Sequence, residues 1–154
     1  MTTIIPYSRF ATLQLVHFVP SVTAIKTYTH TTNNGESWDS AYTDNVEWLE
    51  LKTQPGIKSV CIYLDQETET VPAKIIRAVG LSLKKGMLQE ELEVVLGEPL
   101  KTDTDTENQV TLTFLPGGAE PYYLSLTVKN ETGLHYLVFS NHPGMIAGVQ
   151  AINQ

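Results

Sequence analysis

One helical stretch interrupts an otherwise strand-like chain, and this arrangement constrains the fold more than any other feature of the sequence. Between residues 72 and 97 apolar residues recur at the three- and four-residue spacing of helices that bury one face. Gly86 divides the stretch into two helices, and Gly97, followed by Pro99, ends the second. The apolar positions of the two helices are Ile75, Ile76, Val79 and Leu83, then Leu88, Leu92, Val95 and Leu96.

Four strands are predicted before the helices. Their residues alternate between apolar and polar side chains or are rich in β-branched residues. They cover residues 9–19, 22–31, 46–52 and 57–65. The polar segment 36–44, which contains Trp38 and Tyr42, predicts a loop. Short turns between these strands favour an antiparallel sheet.

Three more strands are predicted after the helices, over residues 109–115, 122–128 and 134–140. Their short Gly-containing connections indicate a meander. The predicted fold class is therefore α+β, with an N-terminal antiparallel sheet, a central helix-turn-helix pair and a C-terminal three-stranded antiparallel meander. We expect a single domain over residues 1–154, with a β-rich lobe (1–70), a second lobe (71–140) and a weakly helical tail (141–154).

The composition is that of a folded, acidic protein. Hydrophobic residues make up 42% and charged residues 18% of the 154 positions, and the formal net charge is −7. A nucleic-acid binder needs a basic surface that neutralises phosphates, so we expect no nucleic-acid partner.

Cysteine usage and hydropathy bear on the compartment. Cys61 is the only cysteine, which excludes an internal disulfide and fits a reducing compartment. No apolar run approaches the ~20 residues of a membrane-spanning helix. We expect a cytoplasmic protein, with a periplasmic location as the alternative, because residues 10–19 have some character of a signal peptide.

Most of the negative charge lies in one segment, from Gly86 to Glu107, which we call the acidic segment. Seven acidic residues there are balanced only by Lys101, so the segment has a net charge of −6. Such a surface raises the association rate with a basic partner, and exposed aromatic side chains supply binding anchors. The alternative is a solvated surface without a partner. The candidate partner-binding residues are Glu90, Glu93, Asp103, Asp105, Glu107, Trp38 and Tyr42.

Residue types suited to catalysis or metal binding form no recognisable motif. The histidines lack the i, i+4 helical spacing of a zinc site, and the Asp103-Thr-Asp105 stretch lacks the later residues of a calcium loop. Cys61 lies within an apolar run and is expected to be a small core residue rather than a nucleophile. We therefore expect no enzyme activity, no cofactor and no metal. The four histidines are His17, His30, His135 and His142.

The segment from Leu81 to Pro99 resembles the helix-turn-helix of small bacterial α/β domains. It reads Leu-Ser-Leu-Lys-Lys-Gly-Met-Leu-Gln-Glu-Glu-Leu-Glu-Val-Val-Leu-Gly-Glu-Pro. It is similar to SmpA/OmlA-type outer-membrane assembly lipoproteins and to β-lactamase-inhibitor-protein-like domains, in which a Gly-Met turn joins two short helices, Leu-Gly-x-Pro follows and three antiparallel strands complete the unit. The resemblance covers about residues 72–140. These families usually place Thr or Ser where this chain has Leu88. The resemblance implies a non-enzymatic, protein-binding module.

The sequence thus predicts a non-catalytic bacterial protein-binding module, specifically an immunity or inhibitor protein that occludes a basic partner enzyme. Three alternatives stay open. A small-molecule carrier would use the concavity between the sheet and the helix pair, and an envelope assembly scaffold would bind proteins without inhibiting them. A hydrolase would need a cleft in which a histidine, an acid and a nucleophile converge; the sequence shows no such group, but distant residues can converge in space. The sequence leaves the partner and the oligomeric state open.

Overall fold

A computed structural model describes Tyr7 and residues 10–43, 45–67 and 69–153. Arg9, Asp44 and Gln154, each at the end of a predicted segment, lie outside the described residues. The first half contains strands β1 (Lys26–Thr31), β2 (Ser37–Thr43), β3 (Val46–Leu51) and β4 (Lys58–Tyr63), followed by helices α1 (Val71–Val79) and α2 (Gln89–Leu96). The second half contains β5 (Lys101–Asp103), β6 (Gln109–Phe114), β7 (Tyr123–Lys129), β8 (Gly133–Ser140) and helix α3 (Pro143–Gln150).

All eight strands form one antiparallel sheet in the order β1-β2-β3-β4-β8-β7-β6-β5. The prediction of a separate N-terminal sheet and C-terminal meander is therefore wrong. β4 pairs with β8 in the centre, from Ser59 opposite Ser140 to Tyr63 opposite Tyr136. The paired residues Ser59 and Ser140 are 81 positions apart in the sequence, so no turn motif between the two strands predicts the pairing. Each half of the chain runs from an outer strand to one of these two central strands.

Helices α1 and α2 cover one side of the sheet, which we call the helix face. In β4, β7 and β8 alternate residues point to this side, and their apolar side chains are almost fully excluded from solvent. They pack against Ile75 and Val79 of α1 and Leu92 and Leu96 of α2 in one core cluster. The strand residues at its centre are Val60, Ile62, Leu112, Leu124, Leu126, Leu137 and Phe139.

Glycines set the ends and the packing of the helical section. Thr70 accepts a hydrogen bond from the Ala73 amide at the start of α1, and Gly80, with φ of 77°, ends that helix. The first helix is therefore shorter than predicted, and Leu83 lies beyond it. At the Gly-Met turn, the Gly86 amide donates to the Leu134 carbonyl (2.8 Å), which fastens the turn to the start of β8.

The start of α2 compensates for the leucine found at its N-cap. Leu88 provides no side-chain acceptor, but its own amide donates to Oε1 of Glu91 at 3.0 Å. Glu90 and Glu91 also lie in the first turn, where negative charge is favoured by the helix dipole. The predicted second helix is confirmed over Gln89–Leu96.

Two predictions for the N-terminal half are wrong. Residues 10–19 form turns and a short 3-10 helix instead of a strand. Of their apolar side chains, Phe10 and Leu15 are buried on the helix face without strand pairing, whereas Val16 is 38% exposed. Residues 37–43, expected to lie in a loop, form β2. Because β2 contains few apolar residues, its sequence does not show the alternation that would have predicted a strand.

The ends of the sheet and of the chain also differ from the predictions. The second predicted strand begins only at Lys26, because residues 22–24 form a 3-10 turn. The short outer strand β5 was not predicted, since its three residues carry no apolar pattern. The C-terminal tail contains helix α3, which starts at Pro143 after the N-cap His142.

Candidate partner-binding face

The side of the sheet opposite α1 and α2, which we call the open face, carries a group of tyrosines. Tyr63 of β4 and Tyr136 of β8 point to this side because they alternate with the core residues Ile62 and Leu137. The pairing register adds Tyr42 of β2, which lies opposite Glu47, and Tyr28 of β1, which lies opposite Ser40. Glu47 of β3 lies directly between Tyr42 and Cys61 in the register. We call these four tyrosines together with Glu47 the tyrosine face.

The tyrosines are arranged in two preformed pairs. The rings of Tyr63 and Tyr136 lie 4.5 Å apart, and those of Tyr28 and Tyr42 lie 5.9 Å apart in an edge-to-face arrangement. The Tyr28 hydroxyl donates a hydrogen bond to Glu47, and this bond raises the pKa of Tyr28. The carboxylate is therefore held among the aromatic rings.

Cys61 belongs to the same surface and not to the main core. Its thiol is half-buried, and burial raises its pKa, although a hydrogen bond with Tyr136 acts in the opposite direction. Burial, followed by the bond to Cys61, also raises the pKa of Tyr136. A thiol with a raised pKa is a poor nucleophile at neutral pH.

Helix α3 covers another part of the open face. Trp38, Leu51 and Val149 are each at least 93% buried, yet among the described residues they stand outside the main core cluster. Trp38 and Leu51 are opposite each other on β2 and β3, and α3 also contacts β7. Small polar side chains complete the buried part of this face: Ser40, Ser59, Thr113, Ser125 and Ser140.

His142 connects α3 to the β1–β2 hairpin. Its Nδ1 accepts from the Gly144 amide (3.0 Å), and its Nε2 lies 2.7 Å from Oε2 of Glu36. The imidazole ring lies 5.7 Å from the Trp38 ring. The hydrogen bond with His142 lowers the pKa of Glu36. A neutral imidazole with its proton on Nε2 satisfies both contacts.

The predicted aromatic candidates have different environments. Tyr42 is 40% exposed on the tyrosine face, whereas Trp38 is 7% exposed and covered by His142. Trp38 therefore lies in a strand beneath the His142 ring and not in a polar loop. Trp48, whose apolar strand favours a core position over an anchor, is indeed a core residue.

The acidic candidates lie away from the tyrosines. Glu90 and Glu93 are on α2, which packs on the helix face, so they lie on the other side of the sheet. Asp103 ends β5 on the open face, in the register row that contains Tyr136, at roughly 14 Å for three strand spacings. Asp105 and Glu107 are exposed in the following turn. The structure thus separates the acidic and aromatic candidates instead of combining them.

Sequence reasoning missed Tyr28, Tyr63, Tyr136 and Glu47. The alternation within each strand correctly groups Tyr63 with Cys61, but it cannot place strands β1, β4 and β8 beside one another. The missing information was the strand order. Tyr28 and Tyr136 come together on one face only because β4 pairs with β8.

The space between the helices and the sheet is filled by core side chains. The grooves at its margins include one of about 550 Å³ between β1–β3 and residues 14–16 and one of about 660 Å³ beside α1 and residues 81–85. Both are partly lined by charged residues, including Glu50 in the first and Lys84 in the second. These grooves differ from the dry, apolar concavity that a small-molecule carrier would need.

No known protein family, curated protein or solved structure matches this chain. In the part of the chain that the structure describes, His, Cys, Asp and Glu side chains form no group of three or more suited to holding a metal ion. Among these same residues, none of the helices has the length and hydrophobicity required to span a bilayer.

Proposed function

We propose that the protein is a non-catalytic bacterial protein-binding module, an immunity or inhibitor protein, whose tyrosine face docks on a basic partner enzyme and occludes it. The observation that carries this proposal is the grouping of four tyrosines around the Glu47 carboxylate on the uncovered part of the sheet. The resemblance of the helix-turn-helix to β-lactamase-inhibitor-protein-like domains supports the same class of function.

The exposure and the pairing of the tyrosines favour protein binding. Tyr28, Tyr42 and Tyr63 are 45%, 40% and 55% exposed. Tyrosine provides a large amphipathic contact area at a small cost in side-chain entropy, and it is enriched at the energetic centres of interfaces. Because the rings already contact each other, binding restricts them less than it would restrict isolated side chains.

The charges indicate the chemistry of the partner. A Lys or Arg side chain can contact the tyrosine rings through a cation–π interaction while it pairs with Glu47. The net charge of −7 attracts such a partner from a distance. The acidic segment has a different role in this account: Glu90 and Glu93 increase the association rate without contacting the partner, because they lie on the opposite side of the sheet.

The engagement of the reactive side chains supports a non-catalytic role. The Cys61 thiol is hydrogen-bonded to Tyr136 and has a raised pKa. The Nδ1 of His142 caps α3, and its Nε2 contacts Glu36. A general base or nucleophile needs a free site toward a substrate. These side chains instead hold parts of the fold together.

Affinity capture with three baits tests the proposal. The baits are the wild-type chain, a Tyr42→Ser/Tyr63→Ser variant, and a Val94→Ser control that removes a 71% exposed apolar residue from α2 on the other side of the sheet. We expect a stoichiometric protein of high isoelectric point to co-purify with the wild type and the control, to elute with salt, and to be lost from the tyrosine variant.

Two results would contradict the proposal. One is equal retention of the basic protein by the tyrosine variant, provided that circular dichroism shows all three baits to be folded. The other is the absence of any stoichiometric basic protein from every bait at low salt. Capture of an acidic partner would refute the charge argument and leave only the aromatic part of the reasoning.

A further inference from the structure

His142, the N-cap residue of helix α3, shields an aromatic residue that would otherwise extend the tyrosine face. Trp38, Ser40 and Tyr42 alternate along β2 and therefore point to the same side of the sheet. Tyr42 is exposed, but Trp38 is covered by the His142 ring at 5.7 Å. The boundary between the open and the covered parts of the face thus falls within one strand.

Helix α3 itself has little intrinsic stability. Gly144 and Gly148 are two of its eight residues, and a glycine within a helix is unfavourable compared with alanine. Val149 is its one buried side chain, while Met145 and Ile146 are only half-buried. The helix contains no charged residue that could form an ion pair along its surface. Its position on the sheet therefore depends on a few contacts.

At the end of the helix Val149 is buried, and the polar contacts lie at its start. His142 caps the Gly144 amide, contacts Glu36 and lies against Trp38. The preceding Asn141 is fixed to β4, because its Oδ1 accepts from the Lys58 amide and its Nδ2 donates to the Gly56 carbonyl, both at 2.8 Å. Movement of α3 would thus begin after Asn141, and it would have to break the polar contacts of His142 and the packing of Val149.

We propose that α3 is a displaceable cover, held by His142, that lifts from the open face and exposes Trp38 as an additional anchor for the basic partner. This regulation rests on the proposed function. When α3 lifts, His142 leaves the Trp38 ring, and Trp38 joins the tyrosine face to form a larger aromatic surface. A partner that binds this surface stabilises the open state by its differential affinity for it.

Two full-length variants separate the cover from the rest of the fold. At Gly148 an added Cβ would meet nothing within 4 Å, so Gly148→Ala strengthens the helix and is expected to slow hydrogen exchange of the α3 amides by about two- to five-fold. His142→Ala removes the N-cap acceptor and the Glu36 contact, and is expected to accelerate that exchange by roughly two- to thirty-fold.

Hydrogen exchange measured by mass spectrometry on these proteins tests the cover directly. We expect the α3 amides of the wild type to exchange faster than those of β4 and β8, and both substitutions to change α3 while leaving the central strands unchanged. Exchange of α3 at the rate of β4 and β8 in every variant would overturn the proposal, because α3 would then open only on global unfolding. If His142→Ala does not fold, Gly148→Ala provides the same test.

Acrylamide quenching of Trp38 in a Trp48→Phe background adds an optical test. We expect quenching to increase with His142→Ala and to decrease with Gly148→Ala, and unchanged quenching in both would contradict the exposure of Trp38. These measurements need no partner. If α3 opens but no basic protein is captured, the proposed function is refuted and the displaceable cover stands. If α3 is rigid but capture depends on the tyrosines, the displaceable cover is refuted and the proposed function stands.

Discussion

Replacing Lys58 by methionine is expected to release the N-terminal segment from the helix face. Lys58 is 4% exposed, and its ammonium donates to the carbonyls of Ala11 (3.1 Å) and Leu13 (2.9 Å). It also lies 5.5 Å from the centre of the Trp48 ring. The substitution keeps most of the aliphatic stem and removes the charge, so it tests the two hydrogen bonds that hold residues 10–13 in place.

The magnitude follows from those two bonds. A hydrogen bond to a charged group contributes roughly 1.5–3 kcal/mol, or about 3–6 kcal/mol for the pair. Removing the buried ammonium also removes the free-energy cost of its desolvation, which offsets part of the stability lost with the two hydrogen bonds. We expect a net loss of about 2 kcal/mol in the free energy of unfolding and a fall in Tm of about 4–8 °C.

Urea unfolding and limited proteolysis measure the two consequences of Lys58→Met. The variant is expected to be less stable and to be cleaved first within residues 10–25, because Phe10 loses its support against Tyr122 and Phe139. The exposed Lys52→Met serves as the control and should leave both properties unchanged. A Lys58→Met protein that is as stable and as protease-resistant as the wild type would refute the anchoring role.

The pH dependence provides an independent signature of the same group. Burial lowers the pKa of Lys58, and the Glu50 carboxylate only partly counteracts it. Between this lowered pKa and the ordinary value of about 10.4, the unfolded chain binds more protons than the folded one, so stability rises with pH in that window. This rise should be absent from Lys58→Met.

Three further predictions concern other parts of the molecule. Burial raises the pKa of Tyr122, so the protonated phenol contributes its full stabilisation below about pH 10 and loses it as the pH rises further. In urea unfolding, Tyr122→Phe should therefore show a smaller fall in the free energy of unfolding above pH 10 than the wild type. Gly133→Ala would place a Cβ 2.3 Å from the Gly86 carbonyl oxygen and should lower the free energy of unfolding by more than about 3 kcal/mol. Gly56→Ala has a similar positive φ but open space around the Cβ, and should lower it by about 1 kcal/mol. Thermal denaturation measures both. Neutralising four carboxylates of the acidic segment should slow association with the captured basic partner and flatten its salt dependence, as measured by stopped flow; unchanged kinetics at low salt would refute steering. The four substitutions are Glu90→Gln, Glu93→Gln, Asp103→Asn and Asp105→Asn.

The local patterns predicted individual elements well where one face of the element is buried. Strands β3, β4, β6, β7 and β8 and helix α2 lie within two residues of their predicted bounds. In each, apolar residues occur at the period of the structure, because one side packs into the core. The first helix was predicted too long, since Gly80 acts as a C-terminal stop although apolar residues continue to Leu83.

Long-range pairing is where the sequence reasoning fails. The β4–β8 contact unites the two halves of the sheet, and neither strand carries a local mark of its partner. The same contact assembles the tyrosine face from four strands. Strand β2 was missed for a related reason: its exposed residues Asp39 and Tyr42 and its buried Ser40 look like a loop until the sheet on both sides is known.

Charge and aromaticity were informative about the kind of surface but not about its location. The acidic segment was found by counting, yet Glu90 and Glu93 lie across the sheet from Tyr42. Trp38 was selected as an anchor because its surroundings in the sequence are polar, and its burial depends on His142, 104 positions later in the chain.

The affinity of the captured basic partner for two matched variants tests the central claim most directly. Isothermal titration calorimetry on Tyr63→Ser should show a Kd increased by about 30-fold, equivalent to about 2 kcal/mol for the loss of an anchor. Val94→Ser should leave the Kd within about three-fold of the wild type, since exposed apolar residues outside an interface contribute little. An unchanged Kd for Tyr63→Ser together with a large increase for Val94→Ser would place the interface on the helix side and contradict the account.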